Sequence, residues 1–265
     1  YKTQKVKDAI SRIGGLDASI VNPIIGAKNH EKYRNKAQIP IGISKNGEYE
    51  IGFYAKHSHR IVDCQNCTLQ PDIFNNVIHI FRKWLNETKP SIYNEKTKEG
   101  LLRHLYIREA QNKRGKELMV CLVINGNDID NKELLISKLK ESILELKSFI
   151  ININTSDTNV IMGSKDKIIY GRDYITDTLC NLEFNISAHS FYQVNKAQAE
   201  TVYKLVDQYS KLSKNEILLD LYCGTGTIGL TIANKCKKLI GIEIVDSAVN
   251  NAIQNAKQSN ITNAE

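Results

Sequence analysis

No stretch of about 18 uninterrupted apolar residues occurs in the chain, which excludes an ordinary membrane-spanning helix. No secretory signal pattern, low-complexity segment or clear internal repeat is visible either. A cytoplasmic setting with reduced thiols is therefore expected. The cysteines Cys64, Cys67, Cys121, Cys180, Cys223 and Cys236 lack the spacing of a disulfide framework. Only Cys64 and Cys67 are close together, and with His57 and His59 upstream they make a weak zinc signature at best. Cys121 and Cys180 lie in apolar, strand-like runs and are expected to be small core residues. Acidic residues are in the minority, and the net charge is +7. Residues 1–60 hold 11 Lys/Arg against 5 Asp/Glu, leaving 25 against 24 elsewhere. A basic N-terminal quarter fits a phosphate-bearing partner as well as it fits a merely solvated surface.

What the chain does have is one stretch that speaks about chemistry, Ile217–Glu243, ILLDLYCGTGTIGLTIANKCKKLIGIE. Ile217, Leu218, Leu219 and Leu221 lead into Gly224, Gly226 and Gly229, a helix-compatible segment follows, and the run Leu239–Ile242 closes on Glu243. That is the pattern of a βαβ unit. Glycines at a strand-to-helix turn permit positive φ and let a ligand approach the exposed amides. An acid ending the second strand can accept both hydroxyls of a ribose, so a nucleoside-bearing ligand is expected. Gly224-x-Gly226-x-x-Gly229 with Glu243 also fits the dinucleotide fingerprint, which leaves a nicotinamide or flavin oxidoreductase open. Asp220, four residues before Gly224, weighs against it. A carboxylate there would repel a pyrophosphate. S-adenosylmethionine (SAM) has no phosphate and carries cationic ammonium and sulfonium groups, and D-x-x-x-G-x-G resembles the first motif of class I SAM methyltransferases. A glycine turn with no ligand is the bland alternative.

The segments before that stretch predict a separate α+β domain. Residues 2–13 read as a short amphipathic helix, with Val6, Ile10 and Ile13 on one face, stopped by Gly14-Gly15. The runs Ile39–Ser44 and Tyr49–Ala55, joined at Asn46-Gly47, read as a hairpin on a type I′ turn. A helix is predicted over Ile73–Trp84, then a hairpin over Leu101–Glu109 and Leu118–Ile124 with the basic tip Gln111–Lys116. A helix over Lys132–Leu146 and strands near Phe149–Ile153 and Lys167–Tyr170 follow. Ser190–Asn195 opens a helix running to about Leu212. The expected organisation is an N-terminal helix and loop (1–30), a central α+β domain (31–187) and the start of an α/β, Rossmann-like domain (188–265).

Six motifs taken together carry a resemblance. YRNKAQ (Tyr33–Gln38), HRIVD-x-x-x-C (His59–Cys67), GLLRHLYIRE (Gly100–Glu109), SFYQVN (Ser190–Asn195), DLYCGTGTIGL (Asp220–Leu230) and GIE (Gly241–Glu243) resemble, in order and across the whole chain, the SAM-dependent RNA uracil-5-methyltransferases. The group acting on 23S ribosomal RNA looks nearest. The resemblance implies a central RNA-contacting domain followed by the first part of a class I SAM methyltransferase domain. It implies SAM as cofactor, RNA as partner and methylation of C5 of a uridine. Gln193 would contact the methionine end of SAM, Tyr222 would lie beside the glycine turn and Glu243 would hold the ribose. Asp220, Gly224 and Gly226 would shape the pocket, and Arg34, Lys36 and Gln38 would face RNA. Interdomain packing is the alternative role for Gln193 and Tyr222. Cys67 resembles the last of four iron–sulfur ligands in the family. The other three would lie upstream of Tyr1, so no intact cluster is expected here.

Uracil C5 is a poor nucleophile, and the family's solution exposes what the chain lacks. A cysteine thiolate adds to C6, C5 becomes enolate-like and takes the methyl, a base removes the C5 proton, and the thiol leaves. None of the six cysteines has the setting of a low-pKa, accessible nucleophile; Cys223, inside the glycine turn, is not the family's catalytic position. By the resemblance, the nucleophile and a glutamate base lie well past the second strand. The chain begins at Tyr1 rather than methionine, and is expected to be a piece trimmed at both ends, inactive alone and weak or inert toward SAM. A non-catalytic RNA-binding protein derived from the same family is the alternative.

Overall fold

The computed structural model describes residues 1–265. Backbone packing divides the chain into two compact units, Tyr1–His30 and Glu31–Glu265. In the first, α1 (Lys2–Asp8) widens into a π-helical turn at Ala9–Ile13 before Gly14, with Gly15 at φ +63°. Asp17 caps a short 3-10 turn by accepting from the Ser19 N–H at 2.9 Å.

The second unit is organised on a seven-stranded mixed sheet. Its strands are β1 (Lys36–Ile43), β2 (Tyr49–Tyr54), β3 (Ile61–Asp63), β4 (Leu102–Asn112), β5 (Gly115–Ile124), β6 (Leu146–Ile153) and β7 (Lys165–Gly171), in spatial order β3-β2-β1-β4-β5-β6-β7. All neighbours are antiparallel except β5 and β6. A parallel pair needs a crossover, and α3 (Lys132–Ser142) supplies it. The other helix, α2 (Asp72–Thr88), follows Pro71 and ends at Lys89 in the left-handed region. Its Phe74, Val77, Ile78, Phe81, Trp84 and Leu85 recur at helical spacing and are buried against one sheet face, where Leu118, Val120 and Leu122 alternate inward from β5. Met119 and Cys121 point to the opposite face. Cys121 is a core residue, as expected.

That opposite face is covered by a hairpin the sequence did not disclose, β8 (Tyr174–Leu179) and β9 (Leu182–Ser187). Leu179, Phe184 and Ile186 of the same hairpin pack against α4 (Lys196–Ser210) and the βαβ unit. The hairpin is thus the layer between the large sheet and the glycine-rich stretch. Cys180 is half-buried at its turn, with φ +49°, rather than a strand core residue, because Cys180 and Asn181 together take the positive-φ geometry of a tight turn.

Three expected boundaries change for local reasons. Among the residues at the first hairpin turn only Gly47 has positive φ, so the turn is not type I′; the Ser44 hydroxyl accepts from the N–H groups of Asn46 and Glu48 at 3.2 Å and holds Asn46 at negative φ. The basic tip shrinks to Lys113-Arg114, since the buried Asn112 accepts from the Arg114 N–H (2.8 Å) and donates to Glu117 (2.8 Å) and the Thr176 carbonyl (3.0 Å). The helix expected to reach Leu146 stops at Ser142, because Leu146 joins the parallel ladder opposite Leu118. No helix is long and apolar enough to cross a membrane.

Candidate functional site

The βαβ unit consists of β10 (Ile217–Leu221), α5 (Thr227–Ile232) and β11 (Lys238–Ile242), followed by α6 (Asp246–Gln258). The two strands are parallel, with Asp220 opposite Gly241 and Leu221 opposite Ile242. The turn leaves β10 through Tyr222 (φ +58°), Gly224 (φ +57°) and Gly226 (φ +79°). Two of these are residues for which positive φ is no strain; Tyr222 is not, and it is also 88% exposed. A bulky residue held in this region over an exposed turn is a local cost of the sort that collects at ligand sites.

Glu243 closes the turn from β11. Its Oε2 accepts from the Gly224 N–H at 3.0 Å, and its Oε1 from the N–H groups of Ile244 (2.8 Å) and Val245 (3.0 Å). The Val245 amide, with those of Gly224 and Ile244, holds the carboxyl below its usual value, so it stays charged. Asp220 lies deeper. Its Oδ2 accepts from the Gly229 N–H at 2.9 Å, and burial pushes its carboxyl up. Gly229 must be glycine for that approach, because a Cβ there would stand 2.8 Å from Asp220 Oδ2 and from Leu239. Asp220, Tyr222, Gly224, Gly226 and Glu243 are therefore gathered in one turn.

Gln193 is held elsewhere. Its side chain is exposed, and its carbonyl accepts from Asn35 Nδ2 at 3.0 Å, while the Asn35 N–H donates to the Val194 carbonyl at 3.0 Å. An isolated bridge joins Arg34 to Asn195. The motifs YRNKAQ and SFYQVN thus meet, and Arg34, Lys36 and Gln38 line one open cavity of about 420 Å³ with Cys67. Burial, then the Arg108 and Arg34 charges, pull the Lys36 ammonium below its ordinary pKa. Cys67 has Cys64 beside it, but nowhere do three His, Cys, Asp or Glu side chains converge. The residues present do not fit a four-thiolate cluster.

Several residues that matter have no role assigned by the sequence alone; Asn251 and Asn255 lie in no motif, and Arg108 lies in GLLRHLYIRE. Asn255 of α6, fully buried, donates to the Thr225 carbonyl of the glycine turn (3.2 Å) and accepts from the Asn185 N–H of β9 (2.9 Å). Asn251 donates to Ser190 Oγ at 3.0 Å. Arg108, fully buried, donates to the carbonyls of Ser187 (2.9 Å) and Ser190 (2.8 Å). The Asn251 and Arg108 bonds fix the start of the SFYQVN segment at Ser190. The Cys223 thiol is pushed up by burial and by the Asp220 and Glu243 carboxylates, the wrong direction for a nucleophile. Burial likewise raises the thiols of Cys64, Cys121, Cys180 and Cys236.

His189, immediately before the SFYQVN segment, bonds Asp166 of β7 at 2.9 Å. The hydrogen bond that its Nε2–H donates to Asp166 raises the imidazole above its usual 6.5. Burial pushes Asp166 up, but hydrogen bonds from His189 and Asn152 outweigh it and leave the carboxyl below 3.8. The raised histidine stabilises the fold fully below pH 6.5 and loses that contribution as pH climbs through its folded pKa; the lowered aspartate stabilises above pH 3.8 and loses it on acidification. The pair is therefore strongest between those two values. His189 is partly exposed, so we expect His189→Ala to lower the melting temperature by about 2 °C near pH 6 and by less near pH 8. An equal drop at both pH values would show that the ion pair is not what the variant removes.

A parallel βαβ unit with a glycine turn, a half-buried aspartate behind it and a strand-end acid folded onto it is the opening of a Rossmann-like nucleoside-binding fold. The chain belongs to the tRNA (uracil-5-)-methyltransferase family, whose model matches residues 2–265. It is 41% identical over 265 residues to an uncharacterized RNA methyltransferase of Clostridium tetani, covering 100% of this chain and 57% of that one. It is 44% identical over 266 residues to another from Caldanaerobacter subterraneus, covering 100% and 58%. The chain therefore spans a little over half the length of these relatives. The fold is similar to that of the Pyrococcus abyssi tRNA (uracil-54, C5)-methyltransferase solved with S-adenosyl-L-homocysteine, with TM-score 0.79 and 24% identity over 99% of this chain and 61% of that one.

Proposed function

We propose that the chain forms the RNA-contacting and cofactor-entry part of a SAM-dependent RNA uracil-5-methyltransferase that makes 5-methyluridine in 23S ribosomal RNA. The observation that carries the reading is the Glu243 carboxylate held on the Gly224 amide, in a chain of this family. Residues 31–187 would contact RNA and residues 188–265 would begin the cofactor domain. SAM supplies the methyl group. Glu243 would accept from its ribose, Gly224 and Gly226 would let it approach the backbone, Tyr222 would cover it, and Gln193 would reach its methionine end. The Asp220 carboxyl behind the turn would favour a cationic ligand over a pyrophosphate.

Burial raises the thiols of Cys64, Cys121, Cys180, Cys223 and Cys236 and so disfavours them as nucleophiles, and the 265-residue polypeptide by itself should show no turnover and weak SAM binding at most. Equilibrium titration of the full-length protein with SAM and with NAD tests the cofactor, and tighter NAD binding would overturn it. Mass-spectrometric mapping of 5-methyluridine in cells lacking the gene tests the substrate. Loss from transfer RNA instead of 23S RNA would reassign it.

Arg34 and Lys36 would meet phosphate from their shared cavity. Alanine at either should lower RNA affinity and flatten the dependence of log affinity on log salt by about 0.7 for a single strand. A slope that does not move would take these side chains off the RNA path.

A further inference from the structure

At the end of β1 away from Lys36, roughly 20 Å along the strand at about 3.3 Å per residue, lies a second open cavity of about 640 Å³, to which no residue of the glycine turn contributes. Its floor is Arg103, whose side chain is 2% exposed. The guanidinium donates to the carbonyls of Asn154 (2.8 Å) and Ser156 (3.1 Å), its Nε has no acceptor, and the nearest carboxylate, Glu95, stands 3.8 Å off. A buried cation so loosely compensated gives the cavity a positive potential, which low-dielectric walls focus. Neighbouring His104 does not add charge: burial and Arg103 bring its pKa down to about 4. Exposed Lys45, Arg60 and Lys96 line the cavity as well, against two half-buried carboxylates, Glu50 and Glu95, so with Arg103 the basic groups outnumber the acidic ones. Tyr93 lies under the Arg103 guanidinium at 4.3 Å, and Tyr54, 41% exposed, stands edge-on to His59 at 5.6 Å.

An open ring beside a positive floor and a basic rim is what holds an unpaired nucleotide, with the base stacked and the phosphate neutralised. A simple anion would use the charges and leave Tyr54 idle. We propose that this cavity is a second RNA contact, taking one unpaired nucleotide with its base on Tyr54 and its phosphate between Arg60 and Lys96. The inference rests on the RNA-methyltransferase reading and extends it: the RNA would be gripped at both ends of β1.

The test is fluorescence anisotropy of the protein with an unpaired RNA of about 12 nucleotides across a salt series. Arg60→Ala with Lys96→Ala should reduce the salt slope by about 1.4, because two phosphate contacts go. Tyr54→Ser should weaken binding about tenfold with the slope unchanged, because stacking is not ionic. Photo-crosslinking of 4-thiouridine RNA to the unaltered protein should label Tyr54 or Tyr93. Should the RNA bind, and respond to Arg34→Ala, while these variants match wild type and no crosslink falls in the cavity, the second contact is overturned and the methyltransferase reading stands. Failure of the unaltered protein to bind RNA at all would overturn both.

Discussion

Glu243→Ala in the full-length protein is expected to weaken SAM binding by about 1–3 kcal/mol, roughly 5- to 150-fold in dissociation constant. A carboxylate offers about four acceptor sites, and here three are taken: two on Oε1 by Ile244 and Val245, one on Oε2 by Gly224. One lone pair of Oε2 is left for a ribose hydroxyl. A second hydroxyl can be accepted only if the Gly224 N–H lets go, and that amide is then free for the ligand. Glu243→Gln should sit between wild type and alanine, because its NH₂ group must face amide donors or the ribose on one side. Calorimetric titration with S-adenosylhomocysteine reads the effect, and a parallel melt separates it from loss of the amide contacts. A dissociation constant that does not change in Glu243→Ala would mean the ribose is held by something else, and the cofactor assignment of this turn would fail with it.

The glycine turn was legible because its constraints are local. Positive φ at Gly224 and Gly226, a parallel strand pair and an acid at the end of the second strand all leave residue-type signals within a short window. Helix α2 was legible by its apolar period, and Cys121 by its alternating strand. The β8–β9 hairpin was not, because it faces two partners. Thr176 and Asp177 are buried on polar networks while Leu179, Phe184 and Ile186 serve an apolar core, so no simple alternation survives. Its turn uses Cys180-Asn181 in place of the usual glycine. Gln193 could be named from its motif, yet its tie to Asn35 joins residues 158 positions apart, and spacing in the chain carries no trace of that. The same holds for Asn255, whose composition-level signal is that of any helical asparagine.

The largest loss of stability should come from Asp177→Ala, a residue that no motif pointed to. Asp177 is 1% exposed, and its carboxylate accepts from the Tyr192 hydroxyl (2.9 Å), the Lys196 ammonium (2.6 Å) and the Gln111 N–H (3.0 Å). Burial, and then the Asp177 charge, push the Tyr192 phenol well up, so it remains a donor at every pH of interest. Alanine strands a buried hydroxyl and a backbone amide and leaves an ammonium without its counter-ion. Breaking a buried ion pair from one side costs about 3–5 kcal/mol, and because Lys196 is 29% exposed and can turn to water, the low end of that range applies. Asp177→Asn keeps the acceptor for Tyr192 and Gln111 and should cost less, about 1–2 kcal/mol. Urea denaturation of the three proteins tests the order, and an alanine variant no weaker than the asparagine one would show the network contributes little. The consequence reaches the candidate site through the chain itself. Tyr192 precedes Gln193, and Lys196 opens α4, so Asp177, held to β4 by the Gln111 N–H, ties the chain on both sides of Gln193 to the large sheet. Loosening that tie should raise the apparent dissociation constant for SAM even where the glycine turn is untouched, and a variant that unfolds early yet binds SAM like wild type would show that Gln193 needs no such support.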